Sequence, residues 1–286
     1  MILATGGTGQ LATMLAAEGA VHVVGRPEFD YDRPDTIATT LALHKPTLVV
    51  NAAAWTAVDA AEAEPDAAAR ANRDGPAILA ALCADLRVPL IHLSTDYVFD
   101  GTKGAPYVET DPVSPTGIYG QTKLEGEQAV LAACPQAVVL RTSWVYASVG
   151  RNFVRTMLGA AEKHRVLRVV ADQRGCPTSA RDLAVAVLAV AARIEAGWDP
   201  ALGGVFHAAG TGDTTWHGLA EAVFAAAARH GRVPPVAEPI TTADWPTPAR
   251  RPADSRLDCG KLTRVYGVTL PAWQGSIQRV VDELLA

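Results

Sequence analysis

The chain has 286 residues, a formal net charge of −5, 49% apolar residues and 19% charged ones. That length can bury a large core, and the composition is that of a folded globular protein rather than a disordered chain. An acidic balance without a basic run interleaved with aromatics excludes broad electrostatic affinity for nucleic acid, so any bound phosphate must be gripped locally.

The first residues, "MILATGGTG", pass straight from a short apolar strand into a glycine turn and leave no room for a signal peptide. Further β-branched runs follow: "AVHVVG" (20–25), "TLVVNAAA" (47–54), "PLIHLSTDYVF" (89–99) and "AVVLRTSWVYA" (137–147). Segments 65–87 and 118–133 between them have helical composition and length. Near-continuous apolar strands alternating with helices imply an α/β fold, a doubly wound parallel sheet covered on both faces. Past residue 150 the alternation loosens. Helices are predicted over 152–165 and 215–231, and "EPITTADWPTPARRPADSRL" (238–257) reads as irregular. Residues 1–150 are therefore expected to form a Rossmann domain, and 151–286 mainly a smaller C-terminal lobe over the carboxyl ends of the strands. The two are expected to interleave, with sheet and helix segments returning around 166–210, "GVFHAAG" (204–210) among them. The apolar run "LAVAVLAVAA" (183–192) is too short to cross a bilayer and reads as a buried helix. Cys83, Cys134, Cys176 and Cys259 form no CxxC pair and suit reduced thiols in a cytoplasmic protein.

Gly6, Gly9 and Ala12 stand in a G-x-x-G-x-x-[GA] spacing directly after the first strand. Such a turn lets the backbone approach a pyrophosphate, and the helix that follows aims its amides and positive dipole end at it. At the end of the second strand an NAD site expects a carboxylate for the ribose 2′-hydroxyl, but Gly25 and Arg26 stand there. A guanidinium suits a 2′-phosphate. NADPH is the expected cofactor, with NADH kept possible by nearby Glu28.

Ser94, Thr95 and Asp96 close the fourth strand, where open α/β sheets bind ligands. Tyr119 and Lys123 follow, four apart and so on one helix face. A phenol is a poor acid–base group near neutrality, and a neighbouring ammonium is expected to lower its pKa. A hydroxyl that orients a carbonyl, a phenol that protonates it and an ammonium that also holds a cofactor ribose make a unit for carbonyl reduction.

With "GGTGQL", "VVNAAAWTAVDAAE", "STDYVF", "YGQTKLEGE", "RTSWVYA", "NFVRTML" and "PTPARRPADSRLD" spread over nearly its whole length, the chain resembles the extended short-chain dehydrogenase/reductases. Within them it is similar to the branch that completes dTDP-rhamnose by reducing the C4 ketone of its nucleotide-linked precursor. The resemblance implies that Gly9, Gln10 and Leu11 line the pyrophosphate turn. It also implies Asp30 and Tyr31 by the adenine, and Ala53, Ala54 and Trp55 beside the cofactor ribose. Thr95, Tyr119 and Lys123 would be catalytic, Tyr119 and Lys123 also touching the cofactor. Thr95 and Asp96 would contact the sugar, with Val58 and Trp144 bordering it. Leu93 departs from relatives that can carry a polar aromatic there. Some relatives form dimers bridged by Mg²⁺ between glutamates of both subunits; Met14, Arg181 and Gln274 align with those glutamates, or Asp182 if the alignment slips by one. No bridging metal is expected, and the chain should be a monomer or a weak homodimer.

His22, His92 and His207 lie in strand-like stretches and read as core residues, and no HExxH or comparable metal spacing occurs. Arg250, Arg251 and Arg256 are candidates for the nucleotide diphosphate. Two other functions fit the same motifs less closely: a different nucleotide-sugar 4-ketoreductase, and a non-catalytic nucleotide-binding regulatory subunit.

Overall fold

A computed structural model describes all 286 residues. Six apolar runs, β1 (Ile2–Thr5), β2 (Val21–Val24), β3 (Leu48–Asn51), β4 (Leu90–Thr95), β5 (Ala137–Thr142) and β6 (Gly204–His207), form one parallel sheet. Their order is β6-β5-β4-β3-β1-β2. The chain lays β2 on one side of β1 and β3 on the other, so the winding reverses between β1 and β3. Register aligns Thr5 with Val24 and Asn51, and Thr95 with Thr142, so the carboxyl ends open along one edge. Ligands bind at that reversal in sheets of this kind. The expected doubly wound sheet is what the chain forms.

Eight helices of nine residues or more frame the sheet and lobe: α1 (Gln10–Glu18), α2 (Asp35–His44), α3 (Gly75–Leu86), α4 (Ile118–Ala133), α5 (Phe153–Ala161), α6 (Ala180–Glu195), α7 (Trp216–Ala228) and α8 (Trp273–Leu285). Ala4, Val50, Ile91, Val138 and Leu140 face α1 and α6; Leu3, Val49, Leu90 and Val139 face α2, α3 and α4. Alternate residues of each strand thus enter opposite apolar layers, which is why the strands read as continuous apolar runs. Each fully buried Leu, Val or Ile contributes about 1.5–3 kcal/mol. The run 183–192 lies inside α6, and no helix is long and apolar enough to cross a membrane.

The helix expected over 65–87 carries a π-helical turn at Arg70–Asp74 between Pro65–Ala69 and α3. The turn carries Asn72 into the interior, where it is wholly buried. Gly126 of α4 packs on it so closely that a Cβ would sit 2.0 Å from the Asn72 carbonyl oxygen.

Two of the longer predicted strands are shorter than expected. The fourth ends at Thr95 in a 3₁₀ turn over Asp96–Val98. The fifth breaks after Thr142, because Trp144 turns the backbone with φ +47° before Val145–Tyr146 resumes. A left-handed tryptophan costs about 1–2 kcal/mol relative to the usual regions, so its neighbours must hold it there. Beyond residue 150, α5, α7 and α8 enclose a separate core containing Tyr146, Val169, Leu219, Phe224 and Ile277. The stretch read as irregular begins inside a strand, Val236–Ile240, which pairs in parallel with Val166–Val170. His92 and His207 are core residues, but His22 is exposed, because β2 is the edge of the sheet.

Candidate active site

The loops leaving β1 to β5 converge on a cleft of about 1000 Å³, closed on the lobe side by Trp144 and Trp216. At its nucleotide end Gly6 takes φ +113°, open to glycine alone at little cost. Gly25 approaches Gly7 so closely that a Cβ would lie 2.7 Å from the Gly7 Cα. The sequence singled out Gly6 and Gly9; the turn also needs Gly7 and Gly25. Gly9 caps α1 without a side-chain acceptor, leaving the first-turn amides for an external anion. Gln10 and Leu11 line the cleft as expected, and the Gln10 amide oxygen accepts from Asn152 at 3.0 Å. Arg151, beside Asn152, adds a cation to the wall that no motif revealed.

Arg26 lines the cleft with its side chain 68% exposed, but its guanidinium donates to Asp30 at 3.0 Å and to Asp32 at 2.7 Å. Arg70, from the π turn, approaches Asp32 at 3.2 Å. Tyr31 lines the wall as expected, donating to Asn51 at 2.8 Å. Asp30 does not line it: its carboxylate is held by Arg26 and Arg33, and Asp32 is the acid that faces the cleft. Ala53, Ala54, Trp55 and Val58 follow β3 along the floor. Asn72 clasps the Trp55 backbone on both sides, accepting from its amide at 2.9 Å and donating to its carbonyl at 3.1 Å.

The catalytic candidates meet at the centre. Thr95 ends β4; Tyr119 and Lys123 occupy successive turns of α4, and all three line the cleft. Lys123 is 2% exposed and donates to the Leu93 carbonyl at 2.6 Å. Burial pushes its pKa down to about 8, opposed by the charge of Glu127. Burial pushes the Tyr119 phenol up, and hydrogen bonding to Thr95 acts against that rise. The expected lowering of the phenol by Lys123 is not what the geometry shows, because the ammonium is turned to the Leu93 carbonyl. The Ser94 hydroxyl is bonded to Glu127 and is not free for a substrate.

Glu127 continues the face of Tyr119 and Lys123 by another turn. Its carboxylate takes a bidentate grip from Arg141 at 2.9 and 2.7 Å, with side chains 2% and 4% exposed. Spacings of four and eight along the helix could have flagged Glu127; nothing local marked Arg141 or Asn72. Asp96 accepts from Thr95 at 3.1 Å through one oxygen, while its buried Oδ2 and the Thr142 hydroxyl lack protein partners. Burial raises the Asp96 pKa to about 7, opposed by the neighbouring hydroxyls of Ser255 and Thr95. Unsatisfied buried acceptors on a cleft wall suit a ligand rich in hydroxyls. Trp144 stacks on Trp216 at 3.6 Å between ring centroids and 7° between planes, and Gly175 leaves room behind it. That stacking holds its left-handed backbone and assigns Trp216 to the wall, which the sequence did not. Of the three candidate arginines, Arg251 reaches Asp59 at 2.7 Å and lies over the Tyr97 ring. Arg256 pairs with Asp254 inside the lobe, and none of the three lines the cleft.

The family model described as the RmlD substrate binding domain matches residues 1–286. A dTDP-4-dehydrorhamnose reductase of Sinorhizobium fredii is 48% identical over 98% of this chain and 96% of its own length. A protein of Streptomyces antibioticus named a probable dTDP-4,6-dihydroxy-2-methyloxan-3-one 4-ketoreductase is 42% identical over 99% and 95%. The crystal structure of a Bacillus anthracis dTDP-4-dehydrorhamnose reductase in complex with NADP superposes with a TM-score of 0.90, at 30% identity, covering 99% of this chain and 98% of that one. A match of the whole chain, together with a glycine turn leading to a Thr–Tyr–Lys centre, places it: the chain belongs to the RmlD family of the extended short-chain reductases.

Proposed function

We infer that the chain reduces the C4 ketone of dTDP-4-dehydro-β-L-rhamnose to give dTDP-β-L-rhamnose, with NADPH as the reductant and NADH as a possible substitute. The observation that carries this reading is the meeting of Thr95, Tyr119 and Lys123 in one cleft with an amide-lined glycine turn. The turn from Gly6 to Leu11 would hold the pyrophosphate, Ala53 to Trp55 and Lys123 a ribose, and Tyr31 the adenine side. Arg26 and Arg70 would exchange Asp32 for a 2′-phosphate. When bound, the cofactor supplies a hydride. Thr95 orients the ketone oxygen. Tyr119 delivers its phenolic proton to that oxygen as it gains negative charge; the raised pKa keeps the phenol protonated near neutrality, as a general acid requires. Lys123, whose ammonium faces the Leu93 carbonyl in the free chain, would turn to the cofactor ribose and from there offset the negative charge left on the phenol. Asp96, Val58, Trp144 and Trp216 would position the sugar, and Arg251, which lies over the cleft residue Tyr97, is proposed for the diphosphate.

Incubation with dTDP-4-dehydro-β-L-rhamnose and NADPH, followed by NMR of the product, tests the assignment. The expected product is dTDP-β-L-rhamnose; turnover of a different 4-keto sugar nucleotide alone would favour the alternative named for the Streptomyces relative. Absence of turnover with any such sugar would return the regulatory-subunit reading, which the complete Thr95–Tyr119–Lys123 set disfavours. The protein is proposed to be cytoplasmic, as four free thiols suit a reducing compartment. It is proposed to be a monomer or weak homodimer without a bridging metal. In support, Arg181 lies between Glu18 at 2.7 Å and Glu283 at 3.5 Å, and Asp182 is held by Arg279 at 2.7 Å.

A further inference from the structure

Outside the cleft, on the exposed edge of the sheet, the fold gathers three side chains that no sequence spacing connected. His22 comes from β2, Glu28 from the loop after it and His44 from the last turn of α2. One ligand atom of each lies within 4.8 Å of the others. The two imidazole centroids are 4.4 Å apart and tilted by 36°, and His44 Nε2 is 2.5 Å from Glu28 Oε1. Each of the three comes from a different element, and those elements are already tied: Thr40 of α2 donates to the Glu28 carbonyl at 2.7 Å.

We propose that His22, Glu28 and His44 form an open three-ligand site for a first-row divalent transition ion, Zn²⁺ above all, with water as the fourth ligand. Two imidazoles and one carboxylate are the donor set that Zn²⁺ takes with a coordination position left over. Mg²⁺ and Ca²⁺ want more oxygens than the cluster offers. Tetrahedral bonds of about 2.0–2.1 Å set ligand atoms about 3.3 Å apart. Closing from 4.8 Å asks for a modest rotation of side chains, two of which are exposed. The ion would be held by the two imidazole nitrogens and the carboxylate oxygen in place of the direct His44–Glu28 contact. Occupancy staples β2, its following loop and α2 together on the edge strand, the side of the sheet with no neighbour to brace it.

The test uses the full chain, without a polyhistidine tag, stripped with a chelator and dialysed. Zn²⁺ is titrated against a chromophoric competitor, and thermal unfolding is followed with and without the ion. The expected result is one Zn²⁺ per chain at micromolar concentrations, a raised Tm, and no such shift with Mg²⁺. His22→Gln and His44→Gln should each weaken binding by about tenfold or more and abolish the Tm shift. Both sit away from the cleft, so NADPH-dependent turnover and the circular dichroism spectrum should be kept, separating this result from the fate of the proposed reaction. No saturable Zn²⁺ binding in this range would overturn the site. So would Zn²⁺ binding undiminished in both variants, which would assign the ion to a thiol such as Cys259.

Discussion

At the nucleotide end of the cleft, Arg26, Asp32 and Arg70 are 68%, 48% and 51% exposed and pair with one another. Beneath α4, Glu127 and Arg141 are 2% and 4% exposed and pair just as closely. The same chemistry is thus used in two solvents. An exposed pair is worth about 0–1 kcal/mol, so a ligand phosphate can displace one partner at little cost. Breaking a buried pair by removing one partner costs about 3–5 kcal/mol, so the arrangement under Lys123 is fixed before any ligand arrives. Exchangeable charge suits recognition at the rim, and fixed charge suits the chemistry at the floor.

That contrast is broken most severely at the phenol. Tyr119→Phe keeps the ring and its edge contact with Tyr97 but removes the proton donor, so kcat should fall by about 10²-fold or more. NADPH affinity, measured by fluorescence titration, should be nearly unchanged. Turnover within a factor of two of the parent would remove Tyr119 from the mechanism.

One layer deeper, Glu127 acts through Lys123 as a positioning residue. Its charge raises the Lys123 pKa, while burial depresses it to about 8. The ammonium is therefore charged below about pH 8 and lost above it, and kcat/KM should decline on that alkaline side. Glu127→Gln removes the charge that supports the ammonium, so the decline should begin at lower pH. It also strands the Arg141 guanidinium and should cost about 3 kcal/mol of stability. A pH profile separates the two effects, since a purely structural role would lower stability and leave the alkaline limb where it was.

Asp96 sharpens the comparison because its burial has no partnering cation. Its folded pKa near 7 lies above the ordinary 3.8. The folded state then holds a proton that the unfolded state has released. Stability from this group is full below about pH 4, is lost as pH rises through about 7, and stays lost above. Three pKa units correspond to about 4 kcal/mol at most. Asp96→Asn should therefore raise stability at pH 8 by about 2–4 kcal/mol, do little at pH 4, and lower sugar turnover. Denaturant melts at the two pH values check the sign.

These residues also mark how far the sequence could be read. The sheet was legible because both faces are buried, so β1 to β5 appear as uninterrupted apolar runs between helices. Thr95, Tyr119 and Lys123 were legible because one strand end and one helix turn present them locally. Asn72 and Arg70 were not, since the π turn that buries Asn72 and carries Arg70 to the cleft rim has no local spelling. Arg141 reads as an ordinary strand residue until α4 lays Glu127 over it. Trp216 becomes a wall residue only when the lobe folds back onto Trp144, and His22 leaves the expected core only because β2 is an edge.

Arg26 tests the exchangeable end. Arg26→Ala should raise KM for NADPH several-fold and leave NADH nearly untouched, an effect of about 1 kcal/mol, because the side chain is mostly exposed. Arg70, on the far side of Asp32, should retain part of the preference, and the Arg26→Ala, Arg70→Ala double variant should lose more than either alone. Equal losses with both cofactors would mean that neither guanidinium reads the 2′-phosphate.

The smallest expected effect is none at all, and it concerns a third ionic cluster. The resemblance aligns Met14, Arg181 and Gln274 with the glutamates expected to hold a bridging Mg²⁺. Met14 packs against the sheet core, and Arg181 reaches from α6 to Glu18 of α1 and Glu283 of α8. A guanidinium between two carboxylates provides within one chain the positive charge that a cation would provide between two. Adding Mg²⁺ there would bring two like charges together, and a hard cation finds no free set of anionic oxygens while Arg279 holds Asp182. Sedimentation in millimolar Mg²⁺ and then in EDTA should give the same mass. Turnover at saturating NADPH should be equal in both buffers, since the proton and the compensating charge come from Tyr119 and Lys123. A dimer that dissociates on chelation and re-forms with Mg²⁺ would refute this, and Arg181→Glu is the variant expected to create such behaviour, because it leaves Glu18 and Glu283 without their cation.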